Sequence, residues 1–259
     1  NLRPLTDKTV SFGLLNDVEQ WILLDPVYKA YTKDLCGYAE RGEKEWKRLL
    51  GSFFAEGVNI AVVKNDEGQI EGYAVYRLGA SEIPVTEFVY TTRRAQRGLL
   101  NYFYNHRSQG ESIRWNEGLH DTGYRFVPDG KTGHTTMPYM MARIVDVETA
   151  LTTVSVNPEA VMMPITLNIK VTDTLCDWND GVFALTLGES TLPNVKRVSA
   201  ESVDEIDITI DIGGLAALLM GAVSAKNLVF EGKLQGESHW IDYLDMVYPK
   251  QNTYINEWW

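Results

Sequence analysis

The sequence predicts a chain of α+β class, mixed in its order of elements and divided into two domains near residue 138. Three observations predict this. Apolar residues recur at helical spacing in some segments and alternate in others. The length of 259 residues is more than one average domain needs. Residues 127–138 (VPDGKTGHTTMP), dense in Gly, Pro and Thr, separate two regions of different composition.

In order along the chain, residues 16–36 (NDVEQWILLDPVYKAYTKDLC) read as a helix with Asn16 or Asp17 as its cap, and residues 43–55 (EKEWKRLLGSFFA) as a second. Residues 59–79 and 81–92 hold three β-rich runs, the first two joined at Asp66-Glu67-Gly68, so an antiparallel meander is expected. RRAQRGLLNYFYNHR follows as a helix with Leu99, Leu100, Phe103 and Tyr104 on one face, and SIRWNEG as one more strand. After the loop come a strand (YMMARIVD, 139–146), a helix (VETALTTV), and three strands (PITLNIKVTD, VFALTLGE, EIDITIDI). Two helices close the order, GGLAALLMGAV and HWIDYLDMVY. The first domain is thus expected over 1–138 with a mostly antiparallel sheet, and the second over 139–259 with a sheet backed by helices.

Composition excludes several function classes. A net charge of -11 argues against a nucleic-acid surface and fits a cationic ligand. The longest apolar stretch, Ile212 to Val223, is too short to span a bilayer, and no signal peptide is visible, so no membrane partner is expected. Cys36 and Cys176 are far apart and lack metal-ligand spacing, which points to a reducing cytoplasm rather than a disulfide framework. His106, His120, His134 and His239 are scattered, with no pairing suited to a metal. There is no GxSxG, GxxxxGK[ST] or GxGxxG motif. The first residue is Asn1, which reads as the start of a piece or of a processed chain.

The strand-to-helix step EFVYTTRRAQRGLL is the most suggestive local feature. A [Q/R]-x-x-G-x-[G/A] turn at such a step offers backbone N–H groups to the pyrophosphate of coenzyme A. Here Arg94 to Gly98 is one residue too long, and Leu99 and Leu100 stand where small residues are needed. Cofactor binding at this turn is therefore not expected. The alternative is an ordinary helix whose Arg93, Arg94 and Arg97 are solvated or paired with acids. Asp146, directly before VETAL, is either a helix cap or a substrate-binding residue. The Gly/Ala-rich run 211–228 allows close helix-on-sheet packing, and a groove beside it could hold an apolar ligand.

Taken together, "MMARIVDVETAL", "DIGGLAALLMG" and the terminal "NEWW" resemble the Eis-type (enhanced intracellular survival) N-acetyltransferases of the GNAT superfamily. The resemblance implies that residues 1–138 are a second, degenerate GNAT-like domain and residues 139–259 a sterol-carrier-protein-like domain. By the same resemblance, acetyl-CoA is bound by a preceding domain, and the chain by itself is inactive. It further implies that the chain's tail enters the active-site cleft, with the terminal carboxylate of Trp259 as general base. Glu257 would then present an anion to a cationic small-molecule or peptide amine, and the rings of Trp258 and Trp259 would anchor the tail. Family members often end in Phe, so Trp259 keeps the aromatic character. They also assemble into rings, implying a homo-oligomer. The competing expectations are a non-catalytic module holding an apolar ligand, or an oligomerising half.

Overall fold

The computed structural model describes residues 9–79, 81–121, 123, 133–137, 140–161, 163–188 and 192–257. The chain divides into two compact units, one of Asn1–Pro138 together with Tyr254–Trp259, the other of Tyr139–Thr253. The final residues thus belong with the first unit.

The first unit carries a five-stranded sheet in the order β1 (Ser11–Leu15), β2 (Asn59–Lys64), β3 (Ile70–Tyr76), β4 (Glu82–Tyr90), β5 (Ser112–Trp115). β1 to β4 pair antiparallel, and β5 joins β4 in parallel. The parallel step arises because α3 (Arg93–Asn105) lies in the connection between β4 and β5. β2 turns into β3 at Asn65, whose side chain accepts from Glu67 N at 3.0 Å and Gln69 N at 2.9 Å, while Gly68 takes φ +81°. β1 was not expected from the sequence. The first helix opens as a 3-10 turn at Val18–Gln20, capped by Asp17, and continues as α1 (Trp21–Thr32), short of the expected end at Cys36. α2 spans Glu43–Ala55 as expected.

Two cores cover the two faces of this sheet. Leu24, Val27 and Tyr28 of α1 and Trp46 and Leu50 of α2 pack on Ile60, Val62, Tyr73, Val75 and Val89. Ala95, Leu99, Leu100 and Phe103 of α3 pack on Ala61, Val63, Ala74, Ile83, Val85 and Phe88. A bulge in β4 allocates residues to the two faces. Val75 pairs with Glu87 but Tyr76 with Val85, leaving Thr86 without a register partner on β3. Val85 consequently lies in the α3 core, whereas Val89 lies in the α1/α2 core.

The second unit has a mixed five-stranded sheet in the order β10 (Leu234–Gly236), β9 (Ile208–Asp211), β6 (Ile165–Thr172), β7 (Gly181–Leu187), β8 (Asn194–Val198). β6 and β9 run parallel and the other pairs antiparallel. The alternating Leu167, Ile169 and Val171 and Phe183, Leu185 and Leu187 face a core with α4 (Val147–Thr153), α5 (Ile212–Leu219), α6 (Ala225–Phe230) and α7 (Ser238–Val247).

Three sequence expectations need correction here. Residues 140–145 of the expected strand 139–146 form no strand: Met141 is 99% exposed and Val145 72%, so an apolar run without a ladder partner stays irregular. Pro138 and Tyr139 lie outside the described residues. The expected helix 213–223 ends at Leu219, because Gly221 at φ +65° turns the chain before Ser224 caps a separate α6. β8 and β10, each short and at a sheet edge, were not expected. Among the described residues, no helix is long and apolar enough to cross a membrane.

Candidate functional site: the docked tail and the strand-to-helix turn

The tail runs along the first unit between the α1–α2 connection and the bulge in β4. Tyr254 N donates to Cys36 O at 2.9 Å. Its ring is buried, 5.5 Å from that of Tyr31 and 6.4 Å from that of His120. Asn256 Nδ2 donates to Thr86 O at 2.6 Å, so the tail bonds to the residue that the bulge set aside. Glu257 Oε1 accepts from Arg41 Nε at 2.6 Å.

Arg41 is only 6% exposed, and its surroundings explain why a charge is tolerated there. Glu87, 2% exposed, receives Arg41 Nη1 at 3.3 Å and also Nη2, a two-pronged pair. The guanidinium carbon stands 4.2 Å from the centre of the Tyr28 ring and 4.7 Å from that of Trp46. Both rings are fixed in turn, Tyr28 by donating to Ala39 O at 2.9 Å and Trp46 by donating to Asp25 Oδ1 at 3.0 Å. Burial works against the guanidinium's charge, but the Glu87 carboxylate holds its pKa above the ordinary value. Burial first, then the negative charge of Glu87, pushes the Tyr73 phenol upward; burial and Glu87 act likewise on Tyr254. The site therefore contains neutral phenols and one permanent cation shared by two carboxylates. Such an arrangement can grip a carboxylate carried on a tail.

The sequence reading missed Arg41 and Glu87. A signal existed for the second: Glu87 sits in EIPVTEFVY, where a charge amid β-forming apolar residues demands a buried partner. Glu257 was expected to face a cationic substrate; its carboxylate is placed on Arg41, with its side chain 10% exposed. Trp258 and Trp259 lie outside the described residues.

At the strand-to-helix turn, the residues present do not fit a pyrophosphate. Glu71 of β3 accepts from Arg94 Nε at 2.6 Å, from Arg94 Nη2, and from Thr92 Oγ1 at 2.8 Å. A carboxylate is thus already paired with the residues that open the helix. Thr92 Oγ1 accepts from Ala95 N at 3.2 Å and so caps α3 with its own side chain. The glycine serves packing instead, since a Cβ on Gly98 would meet Val10 Cγ2 at 3.3 Å and Val63 Cγ1 at 3.4 Å. Leu99 and Leu100 are buried in the α3 core.

The Glu71 cluster has a measurable pH signature. Hydrogen bonding from Arg94, then from Thr92 and Asn65 against the opposing effect of burial, lowers the Glu71 carboxyl from 4.5 to about 2. A depressed carboxylate stabilises the fold fully above its unfolded pKa and loses that contribution as pH falls toward the folded value. The stability advantage of the native chain over Glu71→Gln is therefore expected to shrink between about pH 4.5 and pH 2. Urea denaturation of both across this range checks it; a pH-independent difference would remove the charged role of Glu71.

In the second unit, Asp146 caps α4, its Oδ1 accepting from Thr149 N at 2.7 Å, and the residue is exposed. That hydrogen bond holds its carboxyl below the usual range. The Gly/Ala-rich helix packs closely, with a Cβ on Gly214 only 3.3 Å from Ile210 Cγ1. A cleft of about 360 Å³ lies beside it, lined by Val154, Val156, Leu218, Leu219 and Tyr248 among others.

Two family models match the chain. Residues 37–144 match the one described as an acetyltransferase (GNAT) domain, and residues 147–256 the one described as a sterol carrier protein domain. No curated protein matches. Among solved structures, a conserved protein from Enterococcus faecalis, described as a probable N-acyltransferase, is similar with a TM-score of 0.87 and 22% identity, over 100% of this chain and 64% of that one. A GCN5-related N-acetyltransferase from Anabaena variabilis has a TM-score of 0.77 and 17% identity, over 98% of this chain and 63% of that one. Eis1 from Mycobacterium abscessus has a TM-score of 0.67 and 20% identity, over 100% of this chain and 64% of that one. The chain thus spans less than two thirds of each of these structures. At these identities the likeness shows the fold. The two family models identify residues 37–144 as a GNAT acetyltransferase domain and residues 147–256 as a sterol-carrier-protein-like domain.

Proposed function

We propose that this chain is the tail-bearing portion of an Eis-like N-acetyltransferase acting on amines such as aminoglycosides or lysine side chains, and that acetyl-CoA is held by a domain outside it. One observation carries the reading: the last described residues, which belong to the first unit, are bonded to it at three points, Tyr254, Asn256 and Glu257. In this reading the two residues that follow Glu257 carry the chemistry. The α-carboxylate of Trp259 then accepts the proton of the acceptor amine, and the Trp258 ring faces the cation. An α-carboxylate with an ordinary pKa of about 3.5 is ionised at neutral pH, and partial burial makes it a better base. Similarity over all of the chain to structures half as long again supports the placement of the cofactor elsewhere.

Titration calorimetry of residues 1–259 with acetyl-CoA tests the reading. No binding in the micromolar range is expected, because Glu71 places its charge at the turn and Gly98 faces valines. Micromolar affinity would make the first unit a working cofactor site and overturn the proposal.

A further inference from the structure

We infer that Arg41 is a positioning residue: with Glu87 as its fixed counter-ion, it clasps the tail through Glu257 and so sets where the last two residues lie. Its consequence for catalysis rests on the function proposed above; the clasp itself does not.

The geometry separates a permanent half from a detachable half. Arg41, Glu87, Tyr28 and Trp46 all belong to the body of the first unit, and they hold one another by the two-pronged pair and the stacked rings. That half is complete without the tail. Glu257 adds a second carboxylate to a cation already paired, at 2.6 Å from Nε. The added bond is charge-assisted and largely screened from water, the Arg41 side chain being 3% and the Glu257 side chain 10% exposed. Among the described residues, the other tail hydrogen bonds, from Tyr254 and Asn256, go to main-chain carbonyls, Cys36 O and Thr86 O. Those bonds fix the strand-like course of the tail. The guanidinium fixes its last described residue, two positions before Trp259. Because only planar guanidinium presents parallel donors to two carboxylates while lying between two rings, lysine cannot replace it.

Glu257→Ala is the decisive variant, since it leaves the Arg41–Glu87 pair intact and the unit folded. The amide of Tyr254, bonded to Cys36 O, reports whether the tail is seated. Its hydrogen exchange is expected to quicken about tenfold or more in Glu257→Ala, with a smaller change in Glu257→Gln and no change in the β2–β3 ladder. Unchanged exchange at Tyr254, or quickening spread equally through the β2–β3 ladder, overturns the clasp. The same variants in the complete protein then separate the two claims. A lower kcat with KM for acetyl-CoA unchanged supports both. Quicker exchange with an unaltered kcat leaves the clasp standing and removes the tail from the chemistry.

Discussion

Replacing Arg41 with methionine is expected to destabilise the first unit by about 3–5 kcal/mol, the cost of leaving a buried carboxylate without its partner. Glu87 is 2% exposed and receives both terminal nitrogens of Arg41, so it has no route to water when the guanidinium is gone. Methionine keeps some of the volume between Tyr28 and Trp46, which confines the loss mainly to charge. Urea denaturation monitored by tryptophan fluorescence reads the change, with Trp46 in contact with the substituted side chain. Adding Glu87→Gln should return part of the loss, since it removes the stranded charge. A loss under about 1 kcal/mol for Arg41→Met would mean that the pair is far more hydrated than its burial implies.

Extending the complete protein by one glycine after Trp259 is expected to lower the amine acetylation rate by about 10²-fold or more. The added residue moves the carboxylate by about 3.5 Å and puts a neutral amide in its place. Positioning to within about an ångström matters for a general base. Stability should change little, because the seated contacts at Tyr254, Asn256 and Glu257 all precede the addition. Trp259→Phe keeps the carboxylate and an aromatic anchor, so most activity should remain. Steady-state assays with an aminoglycoside and acetyl-CoA compare the two. Full activity in the extended protein would reduce the tail to a packing element.

Local physics made much of the architecture legible in the sequence. Period-two alternation in 164–173 and 182–189 marked β6 and β7, and helical spacing marked α2 and α3, since each segment's apolar face had to be buried somewhere. Asp146 was readable as a cap because a carboxylate just before VETAL has orphan N–H groups within reach. The departure of Arg94 to Gly98 from a phosphate-binding turn was also visible as spacing. Sequence could not say that Glu71, 23 positions earlier, would close that turn with its own carboxylate. Short edge strands escaped for a related reason: β8 and β10 are held by neighbours rather than by their own propensity. The run 139–146 misled in the opposite direction, its β-like composition finding no ladder at residues 140–145. The pairing at the tail site belonged to tertiary structure. Glu87 and Glu257 lie 46 and 216 positions from Arg41, and no local pattern links the three. The bulge at Thr86 brings them together by turning Glu87 to the α1/α2 side and freeing a carbonyl for Asn256. The sequence by itself determined which segments must be helix or strand and which residues carry charge. Only the packed fold decided which charges share a buried site, because that choice depends on long-range register.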